Sequence, residues 1–353
     1  MTTDQSSDSP SPVVVGGTIA IDHVKTPHDE ARGLLGGSAS YAALAASYFA
    51  APVHLVGIVG ADFPPAHLEM LENHGVVLDG VERSPGESFS WSGEYHENMN
   101  ERTTHQVAVN VLEDWHVKLP EAAAAAPIVV LANMAPDNQL EMLAECSNPR
   151  RFVIADTMDL WIEIARPRLL EVVPQVDLFV LNDSEARALA GTDNLLEAGE
   201  RLLALGPRHL VIKLGEHGAM LFKGGKTGDP EQIGAAEPAP DAQTALPPLF
   251  RTPAFPLRRL VDPTGAGDSF LGALAGFLAS RSTASGEEGG ATGNESQTTE
   301  NQRFAFDDLR RAVVRGTIAA SFTCEAFSTR RLENLPAAAF AARLDAFRRF
   351  SQW

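Results

Sequence analysis

Short apolar runs and amphipathic segments alternate along most of this chain. From residue 127 onward, each apolar run of four or five residues is followed by a segment in which apolar residues recur every three or four positions. Continuous apolar runs are typical of strands covered on both faces, whereas the second spacing indicates helices packed on a core. We therefore predict an α/β fold with a doubly wound, mostly parallel sheet flanked by helices. The predicted strands cover residues 13–22, 53–59, 128–132, 152–156, 178–182 and 210–214.

Residues 88–112 carry a different pattern, in which apolar and polar positions alternate with a period of two. The apolar positions are Phe89, Trp91, Gly93, Val107, Val109 and Val111. Two such strands, joined by a polar turn at residues 96–104, indicate a small sheet with one face in water. The aromatic side chains of Phe89, Trp91 and Tyr95 share one face of this sheet, which alone has little core to cover it. We therefore expect a homodimer that forms through these strands.

The ends of the chain and two internal segments depart from the strand and helix pattern. Residues 1–12 are polar, residues 224–249 are rich in Pro, Ala, Gly and Gln, and residues 281–303 contain almost no apolar residue. A segment with so few apolar residues cannot bury enough surface to offset the entropy of ordering it. We expect a disordered tail and then one domain over residues 13–353, with flexible insertions at 224–249 and 281–303. Helices are predicted at residues 64–74, 304–320 and 336–350, with a turn at 322–328.

The charge and the cysteine content of the 353 residues exclude several classes of partner. The net charge is −18 and the pI is about 4.9, so a nucleic-acid backbone or an anionic membrane surface is a poor partner. No stretch approaches the ~18 consecutive apolar residues that span a bilayer. Cys146 and Cys324 make no metal-ligand spacing and no disulfide framework, which is typical of a reducing compartment. We expect a cytoplasmic protein that binds neither nucleic acid nor membranes.

Residues 262–270, with the sequence DPTGAGDSF, lead from a loop directly into a predicted apolar helix. The first backbone N–H groups of a helix lack partners within it and lie at the positive end of its dipole, so they attract anions. The small residues Gly265, Ala266 and Gly267 let an oxyanion approach these groups. Asp268 is either the N-cap of the helix or a base that takes a proton from a hydroxyl attacking phosphorus.

This string resembles the C-terminal signature of the ribokinase-like (PfkB) carbohydrate kinases, in which an anion hole stands beside a catalytic base. The resemblance implies a kinase that uses ATP and Mg²⁺, with Asp268 as its base. It assigns the anion hole to Gly265, Ala266 and Gly267. It also implies that strands from about residues 13–30 and 88–112 form a small β lid over the substrate, which often serves as a dimer contact as well.

On the substrate side, the resemblance covers two further places in the chain. The family has an aspartate after the first strand that hydrogen-bonds substrate hydroxyls, and Asp22 occupies that place; the alternative is a strand-end Asp that caps a turn. Gly36 and Gly37 resemble the family's di-glycine, where the backbone approaches the substrate closely. Tyr41 stands where the ribose kinases have a sugar-binding Asn, which departs from their pattern. Arg102, near the tip of the lid, either reaches substrate or phosphate or belongs to a solvated turn.

Polar residues end three of the predicted strands, at Asp156, Asn182 and Lys213, where ligands of parallel sheets gather. Asn182 and Glu185 resemble the family's Asn-x-x-Glu element, which organises Mg²⁺ and its waters near the nucleotide phosphates. A helix cap is the alternative interpretation of the same two residues. The strand and turn beside the nucleotide in the family correspond here to Lys213, Gly215 and Gly218.

In many members of the family, the stretch that corresponds to residues 322–328 lines the adenine pocket and supplies carbonyls to a monovalent cation. It shares this cation with the segment that Asp262 and Thr264 match. The resemblance therefore makes Thr264 a nucleotide contact and Asp262 a candidate ligand for K⁺. Glu325, in the later turn of this chain, departs from the family's pattern, so K⁺ dependence stays open.

The combined prediction is an ATP-dependent phosphotransferase that phosphorylates a hydroxyl of a small carbohydrate-type substrate. The nearer alternative is a nucleoside (adenosine-like) kinase of the same fold, because Tyr41, Phe89 and Trp91 could stack on a base. The farther alternative is a non-catalytic sensor of a nucleotide or sugar phosphate. A sensor has no need of a base at Asp268, which argues against it.

Overall fold

The computed structural model describes residues 10–224, 248–282 and 304–351. Residues 1–9 of the predicted tail and most of the two predicted insertions lie outside these ranges. The strands are, in chain order, β1 Val13–Gly16, β2 Ala20–Lys25, β3 Glu30–Gly36, β4 Val53–Val59, β5 Val76–Arg83, β6 Ser90–Tyr95, β7 Arg102–Ala108, β8 Ile128–Leu131, β9 Phe152–Asp156, β10 Leu178–Asn182, β11 His209–Lys213, β12 Ala219–Lys223 and β13 Leu249–Thr252. The helices are α1 Ser38–Ser47, α2 Pro65–Asn73, α3 Glu121–Ala124, α4 Pro136–Glu145, α5 Asp159–Ile164, α6 Arg166–Val172, α7 Asp183–Ala190, α8 Leu195–Ala204, α9 Ala266–Ser282, α10 Phe306–Thr323, α11 Arg330–Glu333 and α12 Ala337–Ser351.

Nine of the described strands form the central sheet, in the spatial order β13, β12, β11, β10, β9, β8, β1, β4, β5. Neighbours pair in parallel, except that β12 runs antiparallel to both β11 and β13. The chain proceeds outward in both directions from the adjacent strands β1 and β8, so a switch point of the sheet lies there. The predicted doubly wound, mostly parallel sheet is confirmed, and Asp156, Asn182 and Lys213 end parallel strands at one edge.

Helices cover both faces of the central sheet, because successive side chains of a strand point to opposite sides. In β1, Val13 and Val15 pack with α1, α9 and α10, whereas Val14 packs on the other side with α4, α6, α7 and α8. Helix α9 lies between α1 and α10 and is buried along nearly its whole length. This burial explains why the sequence of α9 is apolar on every side.

The predicted strand at residues 13–22 is two strands that belong to different sheets. After β1, the N–H groups of Gly17 and Thr18 bond the carbonyl oxygens of Val56 and Asn133. These bonds carry the chain out of the central sheet, and β2 begins the second sheet at Ala20. The prediction of lid strands from about residue 13 was therefore wrong for residues 13–16.

Other predicted boundaries differ by a few residues or more. The second lid strand, β7, ends at residue 108 rather than 112, because Asn110 has a φ of 49° and begins a short 3-10 helix. The turn between β6 and β7 covers residues 96–101 and is therefore shorter than the predicted 96–104. Strands β3 and β5 were not predicted, since polar and apolar residues mix in them without a clear period. The predicted helices at 64–74, 304–320 and 336–350 are confirmed as α2, α10 and α12.

The second sheet, which we call the lid, has the strand order β3, β2, β6, β7. Its outer face is polar: Glu94 pairs with Lys25 at 2.7 Å and with His105 at 3.2 Å. On the other face, Tyr95 is buried in an apolar cluster with Val24, Leu34, Met99 and Phe327. The face is thus covered within the chain around Tyr95, whereas Phe89 and Trp91 are only partly buried. A homodimer through the lid stays a prediction.

Candidate active site

The centre of the candidate site is the N-terminus of α9. Helix α9 begins at Ala266, and Asp268 lies in its first turn, half-buried. The preceding residue, Gly265, has a φ of 74°, which an L-residue rarely adopts. This conformation turns the chain sharply into the helix, so the first N–H groups of α9 face the carboxyl edge of the central sheet.

Tyr41, on α1, lies directly beneath this turn. Its ring is 2 % exposed, and a Cβ atom at position 265 would overlap it. Burial, followed by the charges of Asp22 and Asp262, raises the pKa of Tyr41 well above its ordinary value. The interpretation that this ring stacks on a base does not fit its place in the structure. Tyr41 instead supports the loop that precedes α9.

The electrostatic surroundings of Asp268 suit a base that works near neutral pH. Loss of solvation, followed by the negative charge of Asp156, raises the pKa of Asp268 to about 6. The cations Lys213 and Arg102 act in the opposite direction and limit this increase. A carboxyl with such a pKa is mostly ionised at pH 7 and is a stronger base than an ordinary aspartate.

Lys213 ends β11 and reaches the first turn of α9. Its Nζ donates to Asp156 Oδ2 at 2.9 Å, and a Cβ atom at Gly267 would lie 3.1 Å from the same Nζ. Burial opposes the charged form, but Asp156 and Glu185 outweigh it and raise the pKa of Lys213. The ammonium group is therefore positive at neutral pH and lies beside the predicted anion hole.

Asn182 and Glu185 form a reciprocal cap at the start of α7. Asn182 Oδ1 accepts the Glu185 N–H at 2.8 Å, and Glu185 Oε2 accepts the Asn182 N–H at 2.7 Å. The capping interpretation is therefore confirmed, but it does not account for the burial of Glu185, which is 5 % exposed. Burial and then the charge of Asp156 raise the pKa of Glu185 to about 8, against the effect of Lys213.

Asp262 and Thr264 tie the loop before α9 to its surroundings. Asp262 is fully buried, and its two oxygens accept the N–H groups of Thr264 at 2.9 Å and Ser328 at 3.4 Å. Thr264 Oγ1 donates to the Tyr95 hydroxyl of the lid at 3.2 Å. Because both Asp262 oxygens already serve the backbone, K⁺ binding there stays a prediction.

Glu325, which departs from the family's pattern, belongs to an ion-pair network in the segment that follows α10. Its carboxylate pairs with Arg343 at 2.7 Å and with Arg331 at 3.2 Å. The guanidinium of Arg343 also lies over the ring of Phe322, 3.5 Å from its centroid. Glu325 therefore stabilises the packing of α10 against α12.

The predicted substrate residues of the first lid strands meet around Asp22. Gly36 pairs in register with Ala20, and a Cβ atom at position 36 would overlap the Asp22 carboxyl group. Gly37 has a φ of 87° and lies against the carbonyl of Thr18. Asp22 is 5 % exposed, and burial, then the charges of Asp262 and Asp268, raise its pKa to about 8. The carboxyl groups of Asp22 and Asp268 are thus close enough to influence each other.

A row of three side chains crosses the inner face of the lid. Asp22 in β2 pairs in register with Trp91 in β6, which pairs with Val107 in β7. Directly opposed residues of neighbouring strands project from the same face of a sheet. Trp91 is partly buried, and Val107 is 50 % exposed. A carboxyl group, an indole ring and an isopropyl group therefore project from the same face of the lid, and the indole covers Gly93 and donates from Nε1 to Thr104 Oγ1 at 3.3 Å.

The remaining predicted residues lie farther from this row. Arg102 begins β7 and is exposed, and its charge acts on both Asp268 and Tyr95. Gly215 and Gly218 form the turn between β11 and β12, in which the N–H of Leu214 bonds the carbonyl of Gly218. The hairpin interpretation of this segment is therefore confirmed. The lid touches the turn where Asn100 Nδ2 donates to Glu216 Oε1 at 3.3 Å.

Polar residues at the switch point, between the ends of β1 and β8, were missed by the sequence analysis. Ser38 Oγ donates to the Asn133 carbonyl at 2.8 Å, and Trp161 Nε1 donates to Asn133 Oδ1 at 2.8 Å. Thr18 and Ser38 bond each other through their hydroxyl groups at 3.1 Å. The sequence did contain a signal for Asn133, because it directly follows the predicted strand at residues 128–132. Polar residues at the ends of parallel strands meet at one edge of the sheet.

Comparison with known proteins gives matches over most of the chain. The model of the pfkB family of carbohydrate kinases matches residues 13–239. A cytidine kinase of Thermococcus kodakarensis is 30% identical over 275 residues, which cover 76% of this chain and 87% of the relative. Among solved structures, ribokinase of Giardia lamblia has a TM-score of 0.72 at 17% identity and covers 96% of this chain and 100% of its own. Arabidopsis thaliana ribokinase, solved with ribose and ATP, has a TM-score of 0.65 at 18% identity. The match covers 95% of this chain and 99% of the ribokinase chain.

The two structures are too distant in sequence to show more than a shared fold. The family match covers well over half of the chain, and the curated relative is matched over most of its length. Both are kinases, so both point to phosphoryl transfer. The chain therefore belongs to the pfkB family of carbohydrate kinases and is an ATP-dependent kinase.

Proposed function

We propose that this kinase transfers the γ-phosphoryl group of ATP to a hydroxyl of a nucleoside. The observation that carries the proposal is the row formed by Asp22, Trp91 and Val107 on the inner face of the lid. A carboxyl group next to a partly exposed indole matches an acceptor with sugar hydroxyls at one end and a flat ring at the other. The cytidine kinase relative supports the same substrate class.

The sugar of the acceptor lies against Asp22 and the backbone of Gly36 and Gly37. Its base extends along Trp91 toward Val107, whose side chain is 50 % exposed. A free sugar would leave the indole and the isopropyl group in water, so it gains less from this face of the lid. The replacement of the family's sugar-binding Asn by the buried Tyr41 removes one more polar contact that a free sugar needs.

Phosphoryl transfer takes place at the N-terminus of α9. Asp268 accepts the proton of the attacking hydroxyl, and the N–H groups of Gly265, Ala266 and Gly267 bind the oxygens of the transferring group. The N–H of Ala266 donates to the Pro263 carbonyl at 3.2 Å in the free enzyme and would exchange that partner for a phosphoryl oxygen. Lys213 adds a positive charge at the same place. Arg102 and Thr264 approach the phosphates from the lid and from the loop, whereas Gly215 and Gly218 border the nucleotide.

The residues around Glu185 fit Mg²⁺ held mainly by phosphates and water. Within the ranges that the structure describes, no cluster of three or more His, Cys, Asp or Glu side chains could hold a metal ion by itself. Mg²⁺ in phosphotransfer enzymes usually keeps several waters and takes only one or two carboxylates from the protein. Glu185, oriented by Asn182, would hold it through water, and the ion would neutralise charge on the phosphates.

The assembly and the location of the enzyme belong to the same proposal. We propose a homodimer that forms through the lid and a cytoplasmic enzyme. Within the described residues, no helix has the length and apolar character needed to cross a membrane. Light scattering at micromolar concentration tests the dimer, and a fully active monomer would refute it.

A coupled assay of ADP formation, run over matched panels of nucleosides and free sugars, tests the proposed substrate class. We expect ADP formation with cytidine or another nucleoside, and kcat/KM values for ribose and hexoses that are lower by at least about 10²-fold, the discrimination that a lost apolar contact and an unpaired polar group give together. Faster turnover of a free sugar would instead establish the carbohydrate kinase predicted above. Nucleotide binding without turnover of any acceptor would indicate a sensor.

Trp91→Ala should raise the KM for the nucleoside by about 10-fold, because stacking of a base on an aromatic ring contributes ~1–3 kcal/mol. The KM for ATP and kcat should change little, since the indole is remote from the bond that breaks. Ser92→Ala is the matched control, because Ser92 is the next residue of β6 and projects from the opposite face of the lid. Equal effects of the two substitutions on the nucleoside KM would contradict the proposed base site.

Asp22→Asn should weaken acceptor binding by about 10-fold, the effect of disturbing one hydrogen bond to the acceptor, and leave the KM for ATP unchanged. The substitution should not destabilise the free protein. With a native pKa of about 8, far above the ordinary 3.8, Asp22 contributes stability only while protonated, and this stability is lost as the pH rises through 8. The melting temperature of Asp22→Asn relative to wild type should therefore increase from pH 5 to pH 9, as measured by thermal unfolding.

A further inference from the structure

Asp156, at the end of β9, has no part in the function proposed above, yet its carboxylate is 3 % exposed and held at both oxygens. Oδ1 accepts the N–H of Thr157 at 2.9 Å, and Oδ2 accepts Lys213 Nζ at 2.9 Å. The bond to the backbone fixes the plane of the carboxylate, so the second oxygen has a set direction. Asp156 is thus a rigid anchor for the end of a flexible side chain.

Lys213 needs such an anchor because of where its ammonium group lies. Nζ is beside Gly267, in the first turn of α9, where the helix dipole presents its positive end. A cation is repelled from a helix N-terminus, and a lysine has four rotatable bonds through which to move away. The carboxylate of Asp156 supplies the attraction that keeps the ammonium group there. The cation and the first N–H groups of α9 then face the same small space.

The Asp156–Lys213 pair differs from an ordinary structural ion pair because it lies beside a helix N-terminus. A helix N-terminus already attracts an anion, and a fixed ammonium group beside it adds a second, independent attraction for the same anion. The combination favours a group whose negative charge is spread over several oxygens, as on a phosphoryl group in transfer.

We infer that Asp156 is a positioning residue that holds Lys213 Nζ at the N-terminus of α9, where the ammonium group contacts the phosphoryl group being transferred. The inference rests on the proposed placement of the ATP phosphates at α9, and it does not depend on which acceptor the enzyme uses. Asp156 itself touches neither substrate, so its positioning effect passes through Lys213, while its charge also raises the pKa of Asp268, an effect that remains when Lys213 is replaced.

A double-mutant cycle with Asp156→Asn and Lys213→Met tests this inference. Two quantities are measured for wild type, both single variants and the double variant: kcat with the acceptor found in the panel assay, and the Kd of AMP-PNP with Mg²⁺ by calorimetry without acceptor. Each single variant should lower kcat by about 10- to 100-fold and raise the Kd of AMP-PNP, as expected for loss of a charge-assisted hydrogen bond. The double variant should resemble Lys213→Met alone, because Asp156 has nothing to position once the ammonium group is absent.

Asp177→Asn is the matched control. Asp177 lies just before β10, at the opposite edge of the sheet, and makes the same two kinds of bond: it accepts the Val153 N–H at 2.9 Å and pairs with Arg208 at 3.0 Å. This variant should lower the melting temperature while kcat and the Kd of AMP-PNP stay at wild-type values. It therefore measures what loss of a partly buried ion pair does to stability alone.

Two results would overturn the inference. Additive effects in the cycle would mean that Asp156 acts on the nucleotide by another route, and wild-type kcat and Kd in Asp156→Asn would mean that the pair is only structural. If Asp156→Asn does not fold, Asp156→Ser completes the same cycle. The AMP-PNP arm needs no acceptor, so it distinguishes failure of this inference from failure of the proposed nucleoside kinase activity, which the panel assay reports.

Discussion

Asp268→Asn should lower kcat by about 10²–10⁴-fold, the usual contribution of a general base, and leave the affinity for ATP near that of wild type. Asn has the shape of Asp but cannot accept the proton of the attacking hydroxyl. The structure removes the competing interpretation of this residue as a helix N-cap. Helix α9 begins at Ala266, so Asp268 is its third residue and Gly265 is the residue that precedes the helix. Steady-state kinetics with ATP and the acceptor give the measurement.

The stability of the same variant separates loss of the base from loss of the fold. The native pKa of Asp268 is about 6, above the ordinary 3.8, so its contribution to stability is lost as the pH rises through 6. Asp268→Asn and Asp268→Ala should therefore melt at or above the wild-type temperature at pH 7.5. The kcat/KM of wild type should fall below pH 6, where the base becomes protonated. An Asn variant that is stable and almost fully active would refute the proposed mechanism.

Gly265→Ala should destabilise the protein by about 2 kcal/mol or more and should lower kcat by at least about 10²-fold. The φ of 74° places a side chain here in the left-handed region, and the added Cβ would overlap the ring of Tyr41. That ring is buried and has no free space in which to move. The loop must therefore shift, which displaces the N–H groups of α9 that bind the transferring phosphoryl group.

Gly75→Ala is the matched control for this prediction. Gly75 also has a positive φ, of 79°, but a Cβ atom there would have nothing within 4 Å. It should therefore cost only the backbone strain of ~1–2 kcal/mol. The pair Gly265→Ala with Tyr41→Ala, which removes the ring, should recover part of the activity lost by Gly265→Ala alone. The free energy of unfolding, measured by chemical denaturation, and kcat are compared between the two glycine variants. Equal losses in both quantities would show that the contact with Tyr41 contributes to neither stability nor activity.

Local patterns were sufficient to predict the elements whose chemistry lies within a few consecutive residues. The apolar runs predicted β4, β8, β9, β10 and β11, because a strand covered on both faces is apolar at every position. The string from Asp262 to Phe270 predicted the start of α9, since a helix start depends on backbone geometry at consecutive residues. The anion hole at this N-terminus stays a prediction. The alternation of strand and helix then predicted that Asn182 and Lys213 would meet at one edge.

Patterns of mixed polarity were not sufficient to predict strands and their boundaries. The strands β3 and β5 were missed, because each has a buried end and an exposed end and so follows no period of two. The separation of β1 from β2 depends on hydrogen bonds of Gly17 and Thr18 to residues far along the chain. The residues next to Gly17 and Thr18 in the sequence do not indicate those partners.

By itself, the sequence therefore determined the class of fold, the start of α9 and the kind of reaction, which is ATP-dependent phosphoryl transfer. The tertiary structure alone decided that Tyr41 lies under Gly265, that Asp156 holds Lys213, and that Trp91 stands between Asp22 and Val107. The physical reason is the distance along the chain over which each interaction acts. Strand polarity and the exposed N–H groups of a helix arise from neighbouring residues, whereas these three contacts join residues that only the folded sheets bring together.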